Sequence, residues 1–276
     1  MNQTADRQDR TMMAIVQESY GSAETLEFKR VEVPSIAADE VLVRVRAAGL
    51  DRGVWHLMEG LPYLVRLAFG LRRPKYPICG LDVAGVVESV GTDVTGFQIG
   101  DEVFGICTGS FAEFAPVQAR KLAPMPTNLS FEQAAAVPIS GGTALQGIRN
   151  KGEVSAGQKV LITGASGGVG TYAVQIAKAM GAGLVVGSST NAERRAKLTD
   201  YGADLAVDSR DPGWVDQVLQ ATGGAGVDLI VDQISGYVAN QNLAATKILG
   251  RIVNVGRLGG FSGEFDFDLH ALRRIS

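Results

Sequence analysis

Leu161-Ile162-Thr163-Gly164-Ala165-Ser166-Gly167-Gly168-Val169-Gly170 decides how this chain is read. An apolar strand, Val160–Thr163, runs into a glycine-rich turn. The turn opens a helix, Gly168–Met180, that Gly181 stops. Ala165-x-Gly167-x-x-Gly170 keeps the G-x-G-x-x-G spacing with alanine in first place. In that pattern the middle glycine lets the backbone approach a pyrophosphate, and the last lets the helix pack on the strand. The free N–H groups and positive dipole end of the helix favour a phosphate. A glycine-rich turn that binds nothing has the same local composition. The strand–turn–helix context favours a dinucleotide site over Gly164, Ala165, Ser166, Gly167, Gly168, Val169 and Gly170.

Downstream, strands and helices alternate. Leu184–Ser188, Leu205–Val207, Val227–Val231 and Arg251–Val255 read as strands, and Asn191–Tyr201 reads as a helix. This alternation predicts a parallel sheet covered on both faces. Upstream the period shortens. Ala14–Glu18, Leu26–Val33, Val41–Ala48, Val83–Val90, Glu102–Ile106 and Phe111–Val117 read as short strands of a β barrel or sandwich. Ser130-Phe131-Glu132-Gln133 has the form of a capping box opening a helix. The expected division is therefore 13–128 and 129–276, within an α/β chain. The polar stretch MNQTADRQDRTM is expected to be a loose tail, with order starting at Met12 or Met13.

The cofactor follows from the second strand. An NAD site usually has an acid about twenty residues on, holding the ribose 2′-OH. Here the chain reads Gly187-Ser188-Ser189-Thr190, and the first acid, Glu193, is followed by Arg194 and Arg195. Hydroxyls and arginines suit a 2′-phosphate, so NADPH is the expected cofactor. Thr190-x-x-Glu193 also fits a capping box, and two helix arginines also fit a solvated face.

Composition narrows the partners. The net charge is −3, and no long run of one sign appears, which argues against nucleic acid and anionic membrane. No apolar stretch is long enough to span a bilayer, and no secretory signal is apparent, so a cytoplasmic location is expected. Cys79 and Cys107 stand apart, and His56 and His270 are the only histidines. That inventory predicts no metal site.

Several motifs in order carry a family resemblance. They are Ala47-Ala48-Gly49 before Asp51, Gly80-Leu81-Asp82-Val83-Ala84-Gly85, Gly100-Asp101-Glu102-Val103, Ala135-Ala136-Val137-Pro138 with Gly142-Thr143-Ala144, then Gly164–Gly170 and Gly250-Arg251-Ile252-Val253. The chain resembles the medium-chain dehydrogenase/reductases, in the zinc-free quinone oxidoreductase-like branch, over about residues 13 to 276. The resemblance implies a GroES-like β-barrel domain followed by a Rossmann doubly wound sheet, with the active site in the cleft between them. It implies hydride transfer from nicotinamide to a quinone, an enone or a carbonyl. Zinc-dependent relatives place Cys, His and Cys where Asp51, Leu81 and Ile139 stand, so the resemblance implies no zinc.

It also implies cofactor contacts at Thr143 near the nicotinamide ribose, at Ser188, Ser189, Thr190 and Arg194 near the adenosine phosphate, and at Gln233, Ile234, Val255 and Gly256 on later strand ends. Relatives often carry Asn at Asp51 and Tyr at Ser209. They also continue past Ser276 with a last sheet strand and a dimer contact, so the chain looks shortened at its C-terminus, and a homodimer is expected where that edge is complete. The polar candidates for chemistry are Asp51, Tyr63 and His56. Asp51 reads equally as a helix N-cap before Val54–Met58, and an ionised Asp would have to be protonated, act through water or pair with Arg52. Trp55, Leu57, Leu61, Leu64, Leu67 and Phe69 read as the lining of a hydrophobic substrate pocket, as a lid, or as core packing. Three functions stand: an NADPH-dependent quinone or enone reductase, a zinc-free ketone or aldehyde reductase, and a cofactor-binding protein without catalysis.

Overall fold

The computed structural model describes residues 10–276. The expected tail falls mostly outside them, and order begins earlier than expected, with β1 at Thr11–Gln17. The chain divides into two compact units between Ile139 and Ser140. The expected division at 128/129 comes too early, because α3 (Phe131–Ala135) belongs to the first unit. Its Ala134 and Ala135 are buried with Ala84, against Ala47 and Phe104. Ser130 and Gln133 form the expected reciprocal capping box.

In the first unit β1 pairs antiparallel with β2 (Leu26–Glu32). The other strands are β3 (Glu40–Gly49), β4 (Asp82–Val90), β5 (Glu102–Ile106), β6 (Phe114–Gln118) and β7 (Leu122–Pro124). They form an antiparallel sheet in the order β6-β3-β4-β5-β7. Alternate residues turn inward, as a strand's period of two requires, and Val41, Val43, Val83, Val87 and Val103 make the core. Strand β6 starts three residues after the expected Phe111. The Phe111 backbone is already committed, donating to Cys79 O at 2.9 Å and accepting from Ile15 N at 2.8 Å. Two helices lie between β3 and β4: α1 (Arg52–Glu59) and α2 (Val65–Phe69).

The second unit is built on a parallel sheet. Helix α4 (Pro138–Leu145) leads through a π-helical turn at Gln146–Lys151 to β8 (Lys159–Ile162). Then come α5 (Gly168–Ala179), β9 (Leu184–Ser188), α6 (Ala192–Ala196), β10 (Leu205–Val207), α7 (Trp214–Ala221), β11 (Val227–Asp232), α8 (Ala239–Ala245), β12 (Thr246–Asn254) and α9 (Phe267–Arg273). The strand order is β10-β9-β8-β11-β12. The chain starts in the middle, winds one way through β9 and β10, and returns to wind the other way. Both faces are covered. Ala173, Val174 and Ala177 of α5 pack with Val160, Ile162 and Val231, while Trp214 and Val218 of α7 pack with Leu161, Val186 and Ile230.

Two expected elements differ. The helix expected over 191–201 ends at Ala196. Leu198 is fully buried, and the backbone there bonds back by three residues, Leu198 N to Arg195 O and Tyr201 N to Leu198 O, so the path continues as tight turns. The last strand begins at Thr246, not Arg251. A register shift against β11, with Leu249 at φ +62°, hides the continuity. Ser276 pairs along the free edge of β12, donating to Gly250 O at 3.1 Å and accepting from Ile252 N at 2.9 Å. No described helix is long and apolar enough to cross a membrane.

Candidate functional site

Ligands of open parallel sheets gather where the winding reverses, at the carboxyl ends of the strands. In the second unit that point lies between β8 and β11, and the turn Gly164–Gly170 stands there. Gly164 adopts φ +63°. Its N–H lies 3.3 Å from Ser188 Oγ, and Ala165 N donates to Ser188 O at 2.8 Å, so the end of β9 supports the turn. A Cβ on Gly170 would lie 2.5 Å from Gly164 O and 2.6 Å from Ala165 Cα. Backbone cannot yield to that contact, so glycine is what lets α5 sit this close. Gly167 is the N-cap of α5 and supplies no side chain to the helix's first N–H groups. Those groups have no intrahelical partner and face the direction in which a phosphate is stabilised. The turn fits a dinucleotide pyrophosphate.

Behind the turn is a network that the sequence did not announce. Asp232, buried at the end of β11, accepts from Thr163 Oγ1 at 2.7 Å, Ile234 N at 2.9 Å and Ser235 N at 3.1 Å. Gln233 Nε2 donates to Thr163 O at 2.8 Å, so the Gln233 side chain braces β8 against β11. Val255 N and Gly256 N donate to Asp232 O, which brings the end of β12 to the same place. Ser235 holds a strained φ of +55°, with its Oγ donating to Gly256 O at 2.8 Å. Gln233, Ile234, Val255 and Gly256 thus meet at one sheet end. Thr143 is half-buried on α4, one turn on from Ser140, whose Oγ lies beside Gly168.

At the end of β9, Ser188 is buried and turned toward Gly164. Ser166 Oγ and Ser189 Oγ are hydrogen-bonded at 2.8 Å. Asn191, not Thr190, caps α6, its Oδ1 accepting from Arg194 N at 2.9 Å. The Thr190-x-x-Glu193 box therefore does not form. Arg195 is committed to Asp208 at 2.9 Å and to Ser189 O at 2.8 Å. Arg194 is exposed beside it.

The candidates in the first unit stand on α1, at Asp51 and His56, and just beyond it, at Tyr63. Asp51 is the N-cap of α1: Oδ1 accepts from Gly53 N, and from Val54 N at 3.1 Å. It does not pair with Arg52, whose guanidinium stacks 3.8 Å over the Trp55 ring. Asp51 Oδ2 is buried with no N–H or hydroxyl donor and faces the carboxyl of Asp82. Asp82 is 1% exposed, and its Oδ1 accepts from Ile139 N at 2.9 Å. Burial pushes the Asp82 carboxyl up to about 7, and the neighbouring Asp51 carboxyl pushes the same way against the Ile139 N–H. Burial thus favours the neutral form of Asp82 beside Asp51 Oδ2.

Tyr63 is 72% exposed, with Arg66 stacked 4.9 Å over its ring. His56 packs edge-on against Trp55 within α1. A small, largely apolar pocket lies beside α1, walled by Val54, Leu57, Met58, Phe69, Ile78 and Leu81. Leu57 and Phe69 thus line a pocket as expected, while Leu64 and Leu67 point to solvent. Burial raises both thiols, Cys107 to about 12, so neither is a ready nucleophile.

The residues present do not fit a zinc ion. Asp51 is spent on a helix cap, Leu81 and Ile139 have no donor atom, and no cluster of three or more His, Cys, Asp or Glu side chains occurs among the described residues.

Two family models match the chain: the alcohol dehydrogenase GroES-like domain over residues 37–127 and the zinc-binding dehydrogenase over residues 168–276. The chain is 32% identical to the quinone oxidoreductase of Rattus norvegicus over 252 residues, which is 90% of this chain and 74% of that protein. The CurK enoyl reductase superposes with TM-score 0.83 at 26% identity, covering 95% of this chain and 82% of that one. The mycobacterial protein Rv1454c, solved in complex with NADPH, superposes with TM-score 0.83 at 26% identity, covering 96% and 80%. A GroES-like β unit followed by a Rossmann sheet with a phosphate turn defines a nicotinamide-dependent oxidoreductase. The chain belongs to the medium-chain dehydrogenase/reductase superfamily, in its quinone oxidoreductase-like branch.

Proposed function

We propose that the chain reduces quinones or α,β-unsaturated carbonyls with NADPH, without a metal ion. The observation that carries this reading is the uncapped start of α5 at Gly167, held close to β8 by Gly170. When bound, the dinucleotide supplies the hydride. The N–H groups of the turn hold its pyrophosphate, and Thr143 lies toward the ribose of the nicotinamide half. Ser189, Thr190 and Arg194 meet the 2′-phosphate, and the acid nearest Ser189, Asp208, is neutralised by Arg195.

The substrate class follows from what the chain lacks. A simple ketone gathers full negative charge on one oxygen as hydride arrives, and that charge needs a fixed positive group or donor. Asp51 is committed as a cap through one oxygen and buries the other beside Asp82, and the side chains of Leu81 and Ile139 offer no donor. A quinone or enone spreads the charge over conjugated atoms and depends less on such a group. The apolar walls of the small pocket beside α1 favour a poorly hydrated group over a charged one.

The test is oxidation of NADPH, followed by its absorbance, with a quinone, an enone and a simple ketone, each with and without a chelator. The proposal expects chelator-resistant turnover of quinone or enone and little with the ketone. A preference for the ketone, or loss of activity with chelator, contradicts it. Saturable NADPH binding with no turnover of any of the three leaves a cofactor-binding protein without catalysis.

A further inference from the structure

The net charge of −3 and the lack of a basic run argued against a membrane partner, yet the fold gathers positive charge in one place. Between Glu59 and Asp82 the chain carries four basic residues, Arg66, Arg72, Arg73 and Lys75, and no acid. Arg66 is used internally, its Nε donating to Gly60 O at 2.9 Å and its guanidinium stacking 4.4 Å over Tyr20. Arg72, Arg73 and Lys75 are exposed, and among the described residues none of the three enters an ion pair. The same segment exposes Leu64 (76%), Leu67 (71%) and Leu71 (67%). Leu64 and Leu67, three apart across α2, lie on one side. Large aliphatic side chains held in water beside unpaired cations mark a binding surface, not a resting one.

We propose that residues 60–81 dock the protein on an anionic lipid bilayer, with Leu64, Leu67 and Leu71 entering the headgroup boundary and Arg72, Arg73 and Lys75 meeting lipid phosphates. Apolar residues flanked by Arg and Lys are the chemistry of interfacial attachment. A second copy of the chain is a poorer occupant, because self-docking sets like charges face to face. The same segment exposes Tyr63 and Tyr76, and tyrosine rings gather at the headgroup level of a bilayer beside Arg and Lys, which favours lipid over an acidic protein. The segment also supplies Phe69, Pro74 and Tyr76 to the apolar pocket. A substrate dissolved in the bilayer would meet the pocket wall at the docked surface; that consequence rests on the reductase reading, and the docking does not.

The test is co-sedimentation of the full chain with vesicles of phosphatidylcholine alone and with phosphatidylglycerol added. The expected result is binding at least about tenfold tighter to the anionic vesicles, most of it lost in high salt. A combined Arg72→Gln, Arg73→Gln, Lys75→Gln variant loses that gain. A Leu64→Ser, Leu67→Ser variant weakens binding at both salt concentrations. Circular dichroism and unchanged NADPH affinity show that each variant is folded. No binding to anionic vesicles, or binding that neither variant weakens, overturns the proposal. Self-association lost in the leucine variant without lipid binding overturns it too and assigns the surface to a second copy. Because the assay reads lipid binding, it fails separately from the proposed reductase activity.

Discussion

The two units each begin a helix beside a sheet, and they do it in opposite ways. In the first unit Asp51 fills the N-terminus of α1 with its own carboxylate, and Asp82 closes the space behind it. In the second unit the N-terminus of α5 receives no side chain, and three glycines clear the approach to it. Both helices present unpaired N–H groups and a positive dipole end. One spends them on structure, and the other keeps them for a ligand. The difference lies in what stands at the N-cap, a carboxylate or nothing.

The sharpest way to break this comparison is to give α5 the cap that α1 has. Gly167 has extended dihedrals, and its added Cβ would meet only Gly164 O, at 3.3 Å. Gly167→Asp should therefore fold with unchanged or raised Tm. It should lose NADPH affinity by about a hundredfold or more, because the new carboxylate takes the N–H groups and repels the pyrophosphate. Calorimetric titration and a thermal melt together check this.

The opposite change removes the charge penalty behind α1. Asp82 ionises near 3.8 when unfolded and near 7 when folded. The folded protein therefore holds a proton that the unfolded chain releases. Stability is full below the lower value, declines as pH rises between the two, and is flat above the higher one. Asp82→Asn keeps an acceptor for Ile139 N–H and offers a donor to Asp51 Oδ2. It should raise stability at about pH 8 by on the order of 2 kcal/mol and change little at about pH 4. Denaturant melts at the two pH values measure this, and equal effects at both would contradict a raised Asp82 carboxyl.

Smaller effects refine the picture. Gly170→Ala places a methyl group against the Gly164 and Ala165 backbone and should cost about 2 kcal/mol of stability as well as cofactor affinity. Asp51→Ala should cost about 1 kcal/mol through the lost cap, while Asp51→Asn retains most of it. Arg194→Ala should weaken NADPH several-fold, by about 1 kcal/mol, and leave NADH unchanged. Equal losses for both dinucleotides would remove Arg194 from the 2′-phosphate.

Features that depend on local backbone were legible in the sequence. The Gly164–Gly170 turn, the Ser130 capping box and most strands of the parallel sheet are written in consecutive residues. The places where distant elements meet were not. Asp232 organises the ends of β8, β11 and β12, yet it reads as one acid at the end of an apolar strand. Asp51 and Asp82 are far apart in sequence and share no motif. The only hint was an acid opening the buried run Asp82-Val83-Ala84. Residue spacing allowed an α6 cap at Thr190 because it carries no information on which of two neighbouring polar side chains turns onto the helix N-terminus, and Asn191 does. The exposed cations at 72, 73 and 75 number only three and are interrupted by Pro74, so a search for a long charge run passes over them.

The most direct test of the account is calorimetric titration of the purified chain with NADPH and with NADH, repeated on Gly167→Asp. The account predicts saturable binding with NADPH at least about tenfold tighter than NADH, and loss of both in a variant that still melts cooperatively. Undiminished binding in Gly167→Asp, or no saturable binding in the unaltered chain, would contradict the claim that the open start of α5 is the cofactor site.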